Sequence, residues 1–399
     1  MIDSNGPETM VKLPIYLDHN ATTPCDPRVV EAMMPYFTQQ FGNASSRTHS
    51  FGWQAEEAVE LAREQTAKLI GAEPKEIVFT SGATESDNLA IKGVFENYAS
   101  KGNHIITAVT EHKAVLDTCK HVEKKGAEVT YLGVDAEGII SLTELEAAIR
   151  PNTVLLSFMY ANNETGTVQP INEIGALAKK HGILFFTDAT QAVGKIHVDV
   201  IKDGIDMLAL SAHKFYGPKG TGAIYLRRKN PRVKLAAQLD GGGHERGVRS
   251  GTLNVPGIVG LGKAAELALQ GMKIEAKRVS GLRDKLEDAF LRLGGTHVNG
   301  SRVHRLPHVS NISFGELEGQ SLMMSFNKDI AVSSGSACTS ASMEPSYVLK
   351  AHGLSDILAH SSIRFSVGRF TTEEEIDYAI EKVVKAVMKK RELVKNILE

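Results

Sequence analysis

Lys214 lies in a turn directly after an apolar run, and the sequence first suggests chemistry at this point. The segment Ser211-Ala212-His213-Lys214 follows Met207–Leu210, so we expect Lys214 at the carboxyl end of a buried strand. In open α/β sheets, ligands bind beyond the carboxyl ends of the strands. Lys214 is therefore a candidate Schiff-base nucleophile, although a surface lysine in a glycine-rich turn would have the same spacing.

Asp188 stands at the end of a second apolar strand candidate, Ile183–Thr187. Pyridoxal phosphate needs a lysine that holds its aldehyde as an imine. It also needs a carboxylate that keeps its pyridine nitrogen protonated, so that the ring accepts electrons. Asp188 alone would more often be a helix N-cap. Together with Lys214 it favours a pyridoxal-phosphate site.

A phosphate site is expected where the strand candidate ending at Thr80 meets Ser81-Gly82-Ala83-Thr84. Free backbone N–H groups at the start of a helix, with the Thr84 hydroxyl, bind an anion well. An ordinary capped helix is the alternative. No GxxxxGK[ST] motif occurs, so nothing supports a nucleoside triphosphate site. Ser211 and His213 are close enough to Lys214 in sequence to assist the same phosphate.

Two polar residues that follow apolar strands could complete such a site. His112 could stack on an aromatic cofactor and move protons, although a single histidine is more often structural. Asn163 could donate a hydrogen bond to a ring oxygen or to a substrate carboxylate, or it could be a turn residue. Both readings stay open for each residue.

Cys338 is the one cysteine whose surroundings indicate reactivity. It lies in a run of serine, threonine and glycine from Val332 to Ser342, which predicts a flexible, solvated loop. Because cysteine is usually buried, one in such a loop is a candidate nucleophile that moves. Cys25, in a proline-flanked turn, and Cys119, in a helix, are predicted to be structural. An odd count of three without a CxxC motif argues against a disulfide framework or structural zinc.

Two arginine segments add candidate anion contacts. Arg364 lies in the strand-like run Ser362–Val367, where a charge is costly unless it is paired. Its guanidinium could grip a substrate carboxylate or form a buried structural salt bridge. Arg249-Ser250-Gly251-Thr252 could supply a second phosphate contact, to this chain or to a neighbouring subunit.

The elements that would position these residues follow a strand–helix rhythm up to Leu226. The strand candidates are mostly continuously apolar, which suits strands covered on both faces in a mostly parallel sheet. With helices between them, they predict a doubly wound α/β domain. The seven strand candidates are Glu76–Thr80, His104–Val109, Glu128–Gly133, Val154–Tyr160, Ile183–Thr187, Met207–Ser211 and Gly222–Leu226.

The pattern changes after Pro256 and predicts a smaller α+β domain. Helical patterns cover Ile258–Leu269 and Lys273–Leu293, and short strand candidates and a final helix follow them. We place the large domain at residues 15–265 and the small domain, with the Cys338 loop, at 266–399. Residues 1–14 are expected to pack on the small domain or to be disordered.

Composition excludes several classes of protein. The 399 residues are 42% hydrophobic and carry a net charge of −2, so the chain is neither mainly disordered nor basic enough to indicate nucleic-acid binding. No apolar stretch approaches the ~20 residues of a membrane span. The N-terminus has no signal-peptide pattern, so a cytoplasmic location is expected.

With these residues in place, the sequence strongly resembles the cysteine desulfurases of iron–sulfur cluster assembly, the IscS/NifS type. They belong to the class V branch of fold-type I pyridoxal-phosphate enzymes. The resemblance runs from Tyr16 to the last helix. The long serine-rich loop at Cys338 is similar to that of the first group of desulfurases. The matching motifs are TSGATESDN, TEHKAV, NNETG, TDATQAVGK, SAHKFYGPKG, RSGT, SSGSACTS and SSIRFSVGR.

This resemblance implies a role for each candidate residue. Lys214 binds the cofactor as a Schiff base and moves the substrate α-proton, and Asp188 pairs with the pyridine nitrogen. His112 stacks on the ring and can carry the proton of the substrate thiol. The other implied cofactor contacts are Ala83, Thr84, Asn163, Gln191, Ser211, His213 and, toward the cofactor of the partner subunit in a homodimer, Thr252.

The resemblance also implies the reaction. Asn163 and Arg364 hold the carboxylate of L-cysteine, and Cys338 attacks its sulfur. Alanine leaves, and the persulfide on Cys338 passes to an acceptor such as an iron–sulfur scaffold protein. No metal is expected, but it stays open whether Cys338 also ligates a cluster shared with a partner.

Two other functions fit part of the pattern. A selenocysteine lyase or another class V aminotransferase would share the fold, but transamination needs no thiol such as that of Cys338. A non-catalytic assembly protein could keep the fold as a docking platform. The complete set of Lys214, Asp188, His112 and Cys338 argues against that alternative.

Overall fold

The computed structural model describes residues 11–334 and 344–398, so Cys338 and its loop lie outside the described residues. The strands of the described chain are β1 (Ile15–Tyr16), β2 (Ile77–Thr80), β3 (His104–Ala108), β4 (Glu128–Leu132), β5 (Thr153–Ser157), β6 (Leu184–Asp188), β7 (Met207–Ser211), β8 (Gly222–Leu226), β9 (Thr296–Asn299), β10 (Val309–Phe314), β11 (Ile330–Ala331), β12 (Ser333–Ser334) and β13 (Ser362–Ser366).

Helices lie between most of these strands. Their bounds are α1 (Pro27–Met33), α2 (Pro35–Thr38), α3 (Ser50–Leu69), α4 (Ala83–Asn97), α5 (Lys113–Glu123), α6 (Leu142–Ala148), α7 (Ile171–His181), α8 (Val255–Leu291), α9 (Gly319–Met324), α10 (Tyr347–Ala351), α11 (Asp356–His360) and α12 (Glu373–Leu398).

A seven-stranded sheet with the order β2-β8-β7-β6-β5-β3-β4 forms the centre of the large unit. All seven predicted strands are present, which confirms the predicted α/β fold with a mostly parallel sheet. Only β8 runs antiparallel, to both β2 and β7. The carboxyl ends of β2, β6 and β7 therefore meet at one edge of the sheet. Thr80, Asp188 and Ser211 end these strands and lie there together.

Both faces of this sheet are covered, which explains its continuously apolar strands. Phe185 and Leu208 pack into a core shared with α3, α7 and the first half of α8. Their neighbours Phe186 and Ala209 point the other way, into a core shared with α4 and α5. Six of the seven strands thus bury both of their faces, as parallel sheets in α/β proteins do, whereas the edge strand β4 is partly exposed.

Helix α8 differs from the prediction of two separate helices. It is one continuous helix of 37 residues. Gly271 lies in its middle, where a glycine lowers helix stability but does not break the helix as proline would. The first half packs in the large core up to Ala268, and the second half packs in another core from Val279 onward. The predicted domain boundary therefore falls inside a continuous helix.

The second core belongs to a smaller α+β unit. Its four-stranded antiparallel sheet has the order β12-β13-β10-β9 and packs with α8 and α12. Strand β1 pairs with β11, and Ile15 and Leu17 are buried in this second core. The start of the described chain therefore packs on the small unit. Within the described ranges, no helix is long and apolar enough to cross a membrane.

Candidate active site

A cavity of about 710 Å³ opens where the carboxyl edge of the large sheet faces the small unit. It brings together side chains from both units that are far apart in sequence. Thr252 is exposed and does not line this cavity, and Cys338 lies outside the described residues. The predicted site residues that line the cavity are Ala83, Thr84, His112, Asn163, Asp188, Gln191, Ser211, His213, Lys214 and Arg364.

Lys214 ends a single helical turn, Ala212–Lys214, directly after β7. Its Nζ donates to the carbonyl oxygens of Asn20 at 2.6 Å and Ala21 at 2.8 Å. Thr23 fastens the same stretch, because its hydroxyl donates to the carbonyl oxygen of His213 at 2.9 Å. The segment after β1 therefore aims the lysine amine into the cavity.

Asp188 is buried at the end of β6 and lines the cavity. Its Oδ1 accepts from the backbone N–H of Thr190 at 3.0 Å, within a turn. No helix begins between β6 and β7, which are both described, so Asp188 is not the helix N-cap of the alternative interpretation. Burial and the charge of Asp188 hold the pKa of Asp87 well above its usual value, and the pKa of Glu111 is raised for the same main reason. Burial thus favours the protonated forms of Asp87 and Glu111 behind Asp188.

The turn between β2 and α4 has the features of an anion site. Gly82 adopts φ 154°, which other residues rarely do, and no side-chain hydrogen bond from the described part of the chain caps the N-terminus of α4 at this residue. A Cβ built on Gly82 would lie 3.7 Å from Ser211 Oγ, so that hydroxyl borders the turn. The acidic residue of the first turn, Glu85, is paired with Arg249 at 2.8 Å. The backbone N–H groups of Ser81 and Gly82 donate to Glu85 Oε2 at 2.8 Å and to Thr80 Oγ1 at 3.4 Å. Those of Ala83 and Thr84, at the start of α4, are therefore the ones available to a phosphate.

Two histidines border the cavity in defined orientations. His112 is the N-cap of α5, and its Nδ1 accepts from the backbone N–H of Ala114 at 3.2 Å, which fixes the ring. His213 Nδ1 lies 3.0 Å from the hydroxyl of Thr22. Burial, with the charges of Lys214 and Lys219, lowers the pKa of His213 to about 4. His213 is therefore neutral and contributes a hydrogen bond rather than a charge.

Arg364 and Asn163 lie together where β13 meets the cavity. Arg364 Nη1 donates to the carbonyl oxygen of Asn163 at 2.7 Å, and Nη2 donates to Asp18 Oδ1 at 2.8 Å. Arg364 thus forms a buried salt bridge, which was the structural alternative for this residue, and its guanidinium also lines the cavity. The side-chain Oδ1 of Asn163 is buried and has no hydrogen-bond partner among the described residues. A buried polar atom of this kind indicates a missing ligand or water.

Glu164 and Ser346 are cavity residues to which the sequence reasoning gave no role. Glu164 belongs to the quoted NNETG motif, which was the available signal, whereas Ser346 carried none. The hydroxyl of Ser346 donates to Glu164 Oε2 at 2.5 Å. Burial raises the pKa of Glu164 to about 7, against the lowering effects of Ser346, Arg364 and His112.

The two described cysteines lie away from this chemistry. Cys119 is fully buried on α5, and burial raises the pKa of its thiol to about 12. Cys25 is partly buried, and its thiol pKa is also raised, mainly by burial. Both thiols therefore stay protonated and unreactive at neutral pH.

This set of donors fits pyridoxal phosphate. The uncapped turn at Gly82 matches an anionic group, and the carboxylate of Asp188 matches a protonated ring nitrogen. The Lys214 amine and the unpartnered Oδ1 of Asn163 face the same cavity. Gln191 is fixed beside them, because its Nε2 donates to the carbonyl oxygen of Asn20 at 3.1 Å.

Comparisons with known proteins agree with this geometry. A family model described as aminotransferase class-V matches residues 15–379. The chain is 59% identical over 384 residues to the cysteine desulfurase IscS of Anaeromyxobacter sp. (strain K), covering 96% of this chain and 95% of that protein. It is 60% identical over 385 residues to the cysteine desulfurase IscS of Photorhabdus laumondii subsp. laumondii, with the same coverage.

Solved structures are similar along most of the chain. A NifS-like protein superposes with a TM-score of 0.88 at 39% identity, covering 94% of this chain and all of that one. SspA in complex with cysteine superposes with a TM-score of 0.80 at 40% identity, covering 90% of this chain and all of that one.

Proposed function

The chain belongs to the aminotransferase class-V family and is a pyridoxal 5′-phosphate-dependent cysteine desulfurase; we propose that it moves the sulfur of L-cysteine onto Cys338. One observation carries this proposal. Lys214, Asp188 and the uncapped turn at Gly82 converge in one cavity, and the segment that carries Cys338 starts and ends beside it.

The chain's own residues would hold the cofactor at three points. The phosphate would lie at the turn from Ser81 to Thr84, beside Ser211 and His213. Asp188 would face the ring nitrogen, and Lys214 would hold the aldehyde carbon. Pyridoxal phosphate, when bound, supplies an electron sink that lowers the cost of breaking bonds at the substrate α-carbon.

The substrate side of the cavity would be formed by Asn163, Arg364 and His112. Arg364 offers a guanidinium for the substrate carboxylate, and its pairing with Asp18 holds that group in place. The Lys214 amine would take and return the α-proton. The imidazole of His112 would accept the thiol proton of the substrate, since its ring is held at the start of α5.

The described residues on both sides of the Cys338 segment lie close to this cavity. Ser333 pairs with Arg364 in the sheet of the small unit, and Glu344 lines the cavity. Cys338 follows Ser334 by four residues, and an extended chain spans at most about 3.5 Å per residue. We therefore propose that the thiol can reach a substrate held at Arg364.

The proposed sulfur transfer balances without another reactant. The Cys338 thiolate forms a bond to the substrate sulfur, and the bond between that sulfur and the substrate β-carbon breaks. The β-carbon takes a proton, so L-alanine leaves and Cys338 carries the persulfide. The carbon is reduced, and the two sulfur atoms are oxidised to the persulfide level.

The test is a holoenzyme carrying Cys338→Ser. We expect it to keep the visible absorbance of the bound cofactor but to release no sulfide from L-cysteine in the presence of a thiol reductant. Cys119→Ser is the matched control and should keep sulfide release. Sulfide release from the Cys338 variant would remove Cys338 from this role.

We further propose a homodimer in which Thr252 contacts the partner's cofactor. Support comes from an exposed apolar patch formed by Met34, Phe37, Phe41, Phe51 and Trp53, each 46–64% exposed. The rings of Phe41 and Phe51 lie 5.4 Å apart and contact each other, and contiguous exposed apolar patches mark interaction sites. Sedimentation of the holoenzyme should give a dimer, and a monomer at micromolar concentration would reject this proposal.

The sulfur acceptor is proposed to be an iron–sulfur scaffold protein or another sulfur carrier, in the cytoplasm. Support comes from the relatives named IscS and from the scarcity of cysteine. Mixing the enzyme with labelled cysteine and a cell extract should label such a protein as a persulfide. Label that stays on the enzyme alone would contradict it.

A further inference from the structure

Glu164 is the buried acidic group of the cavity for which the proposed reaction has no use. It lies in the turn after β5 and is 4% exposed. Its carboxyl lines the cavity within electrostatic range of His112 and Arg364, the residues assigned to the substrate. A buried carboxyl that titrates near neutral pH beside a substrate site is a candidate functional group.

The same carboxyl anchors the start of helix α10. Ser346 donates its hydroxyl to Glu164 Oε2, and the same hydroxyl oxygen accepts from the backbone N–H of Leu349, so it caps this helix. Tyr347 adds a second anchor, because its hydroxyl donates to the carbonyl oxygen of Glu111 at 2.7 Å. Glu164 thus links the side of the cavity that would bind the substrate carboxylate to Ser346, shortly after the Cys338 segment.

The charges around Glu164 come from several elements. Arg364 of β13 and His112 at the start of α5 favour its ionised form, and burial opposes it. Asp18 pairs with Arg364 and offsets part of its charge. Glu344 lines the same cavity. From β10, the neutral Asn311 donates to the carbonyl oxygen of Glu164 at 3.2 Å.

We propose that Glu164 is a positioning residue whose protonated form permits tight binding of the substrate carboxylate, and whose deprotonation weakens that binding. This inference rests on the proposed function, because it takes Arg364 as the carboxylate site. When it is protonated, the Glu164 carboxyl is a neutral hydrogen-bond partner for Ser346. When it is ionised, it adds a negative charge beside Arg364 and repels the carboxylate of the arriving substrate.

The size of the effect follows from linkage. A bound carboxylate that raises the pKa of Glu164 by about one unit makes binding about tenfold weaker on the alkaline side than on the acidic side. The change is centred near pH 7, where Glu164 titrates. Within that range, ligand binding takes up a proton.

The experiment measures the affinity of the holoenzyme for L-alanine, which has the carboxylate of the substrate but no thiol. Binding is read from the visible absorbance of the cofactor between pH 5.5 and 8.5. Glu164→Gln keeps an oxygen acceptor for Ser346 but cannot ionise. We expect the affinity of the wild type for L-alanine, divided by that of the variant, to be about tenfold lower at pH 8.5 than at pH 5.5.

Two further variants separate charge from anchoring. Ser346→Ala removes a hydrogen bond that favours the ionised carboxylate, so the midpoint of the affinity profile should move to higher pH. Glu173→Gln makes the same chemical change at an exposed position in the first turn of α7 and should reproduce the wild-type profile.

Three results would overturn the inference: a Glu164→Gln profile with the wild-type midpoint, an unshifted midpoint in Ser346→Ala, or no binding of L-alanine at any pH. The two proposals can fail separately. A holoenzyme that does not release sulfide from cysteine but binds L-alanine with the expected profile would reject the desulfurase mechanism and support the role of Glu164.

Discussion

The buried ion pair between Arg63 and Glu245 allows a stability prediction that tests how the phosphate turn is supported. The side chains are 4% and 2% exposed and lie 2.8 Å apart on α3 and in the glycine-rich segment before Arg249. Glu245 accepts two hydrogen bonds from Arg63 and one from the backbone N–H of Phe79. Phe79 is the residue before the last one of β2. The ion pair of Arg63 and Glu245 therefore holds in place the strand that leads into the turn at Gly82.

Glu245→Ala should lower the free energy of unfolding by up to about 3–5 kcal/mol, because the buried Arg63 then keeps as a counter-charge the half-exposed Glu60, 2.9 Å away. At a urea slope of about 3 kcal/mol per M, the unfolding midpoint falls by about 1–2 M. Replacing both residues with leucine should cost less than the sum of the two single replacements, since no charge is then left unpaired.

The assay is urea unfolding of the holoenzyme followed by circular dichroism, with cofactor in excess. Glu128→Ala is the matched control. Its partner Arg150 is also 2.8 Å away, but both side chains are about half exposed, so the expected loss is at most about 1 kcal/mol. Equal losses for the two variants, or losses that add in the double leucine variant, would refute the reasoning.

Two further predictions concern the cofactor site. Lys214→Ala should abolish the visible absorbance band of the purified protein, because it removes the amine that we propose to bind the cofactor aldehyde. An unchanged spectrum would reject this assignment. Asp87→Asn should gain stability over the wild type as pH rises from about 4, because the folded protein holds the Asp87 proton above its unfolded pKa and so loses about 1.4 kcal/mol per pH unit until that raised pKa is reached. Urea unfolding at pH 5 and pH 8 measures this gain, and an equal difference between the proteins at both values would contradict it.

Local pattern was sufficient to predict the central sheet. All of its strands except the edge strand β4 bury both faces, so their apolar runs are continuous. The polar residue at the end of a strand marks the cavity edge, as Asp188 does. Helix α8 was wrongly divided because the charged stretch after Gly271 differs in composition, although its backbone is continuous. Composition changes there because the helix leaves one core and enters another.

Contacts between segments that are distant in sequence could not be predicted from the local sequence pattern. The carbonyl oxygens of Asn20 and Ala21 hold the Lys214 amine, but a backbone carbonyl leaves no mark on residue type. The role of Glu164 depends on Ser346, which is brought to it only by folding of the small unit. The chemistry could be inferred from residue types, whereas the anchoring of each group needed the three-dimensional arrangement.

The pairing of β1 with β11 has a consequence for biosynthesis. The second strand of that pair leaves the ribosome about 300 residues after the first. At about 5–20 residues per second, the first strand waits roughly 15–60 s for its partner. Ser346 and Arg364 also line the cavity and are synthesised later still. A nascent large unit therefore cannot complete the cavity until most of the chain has been synthesised.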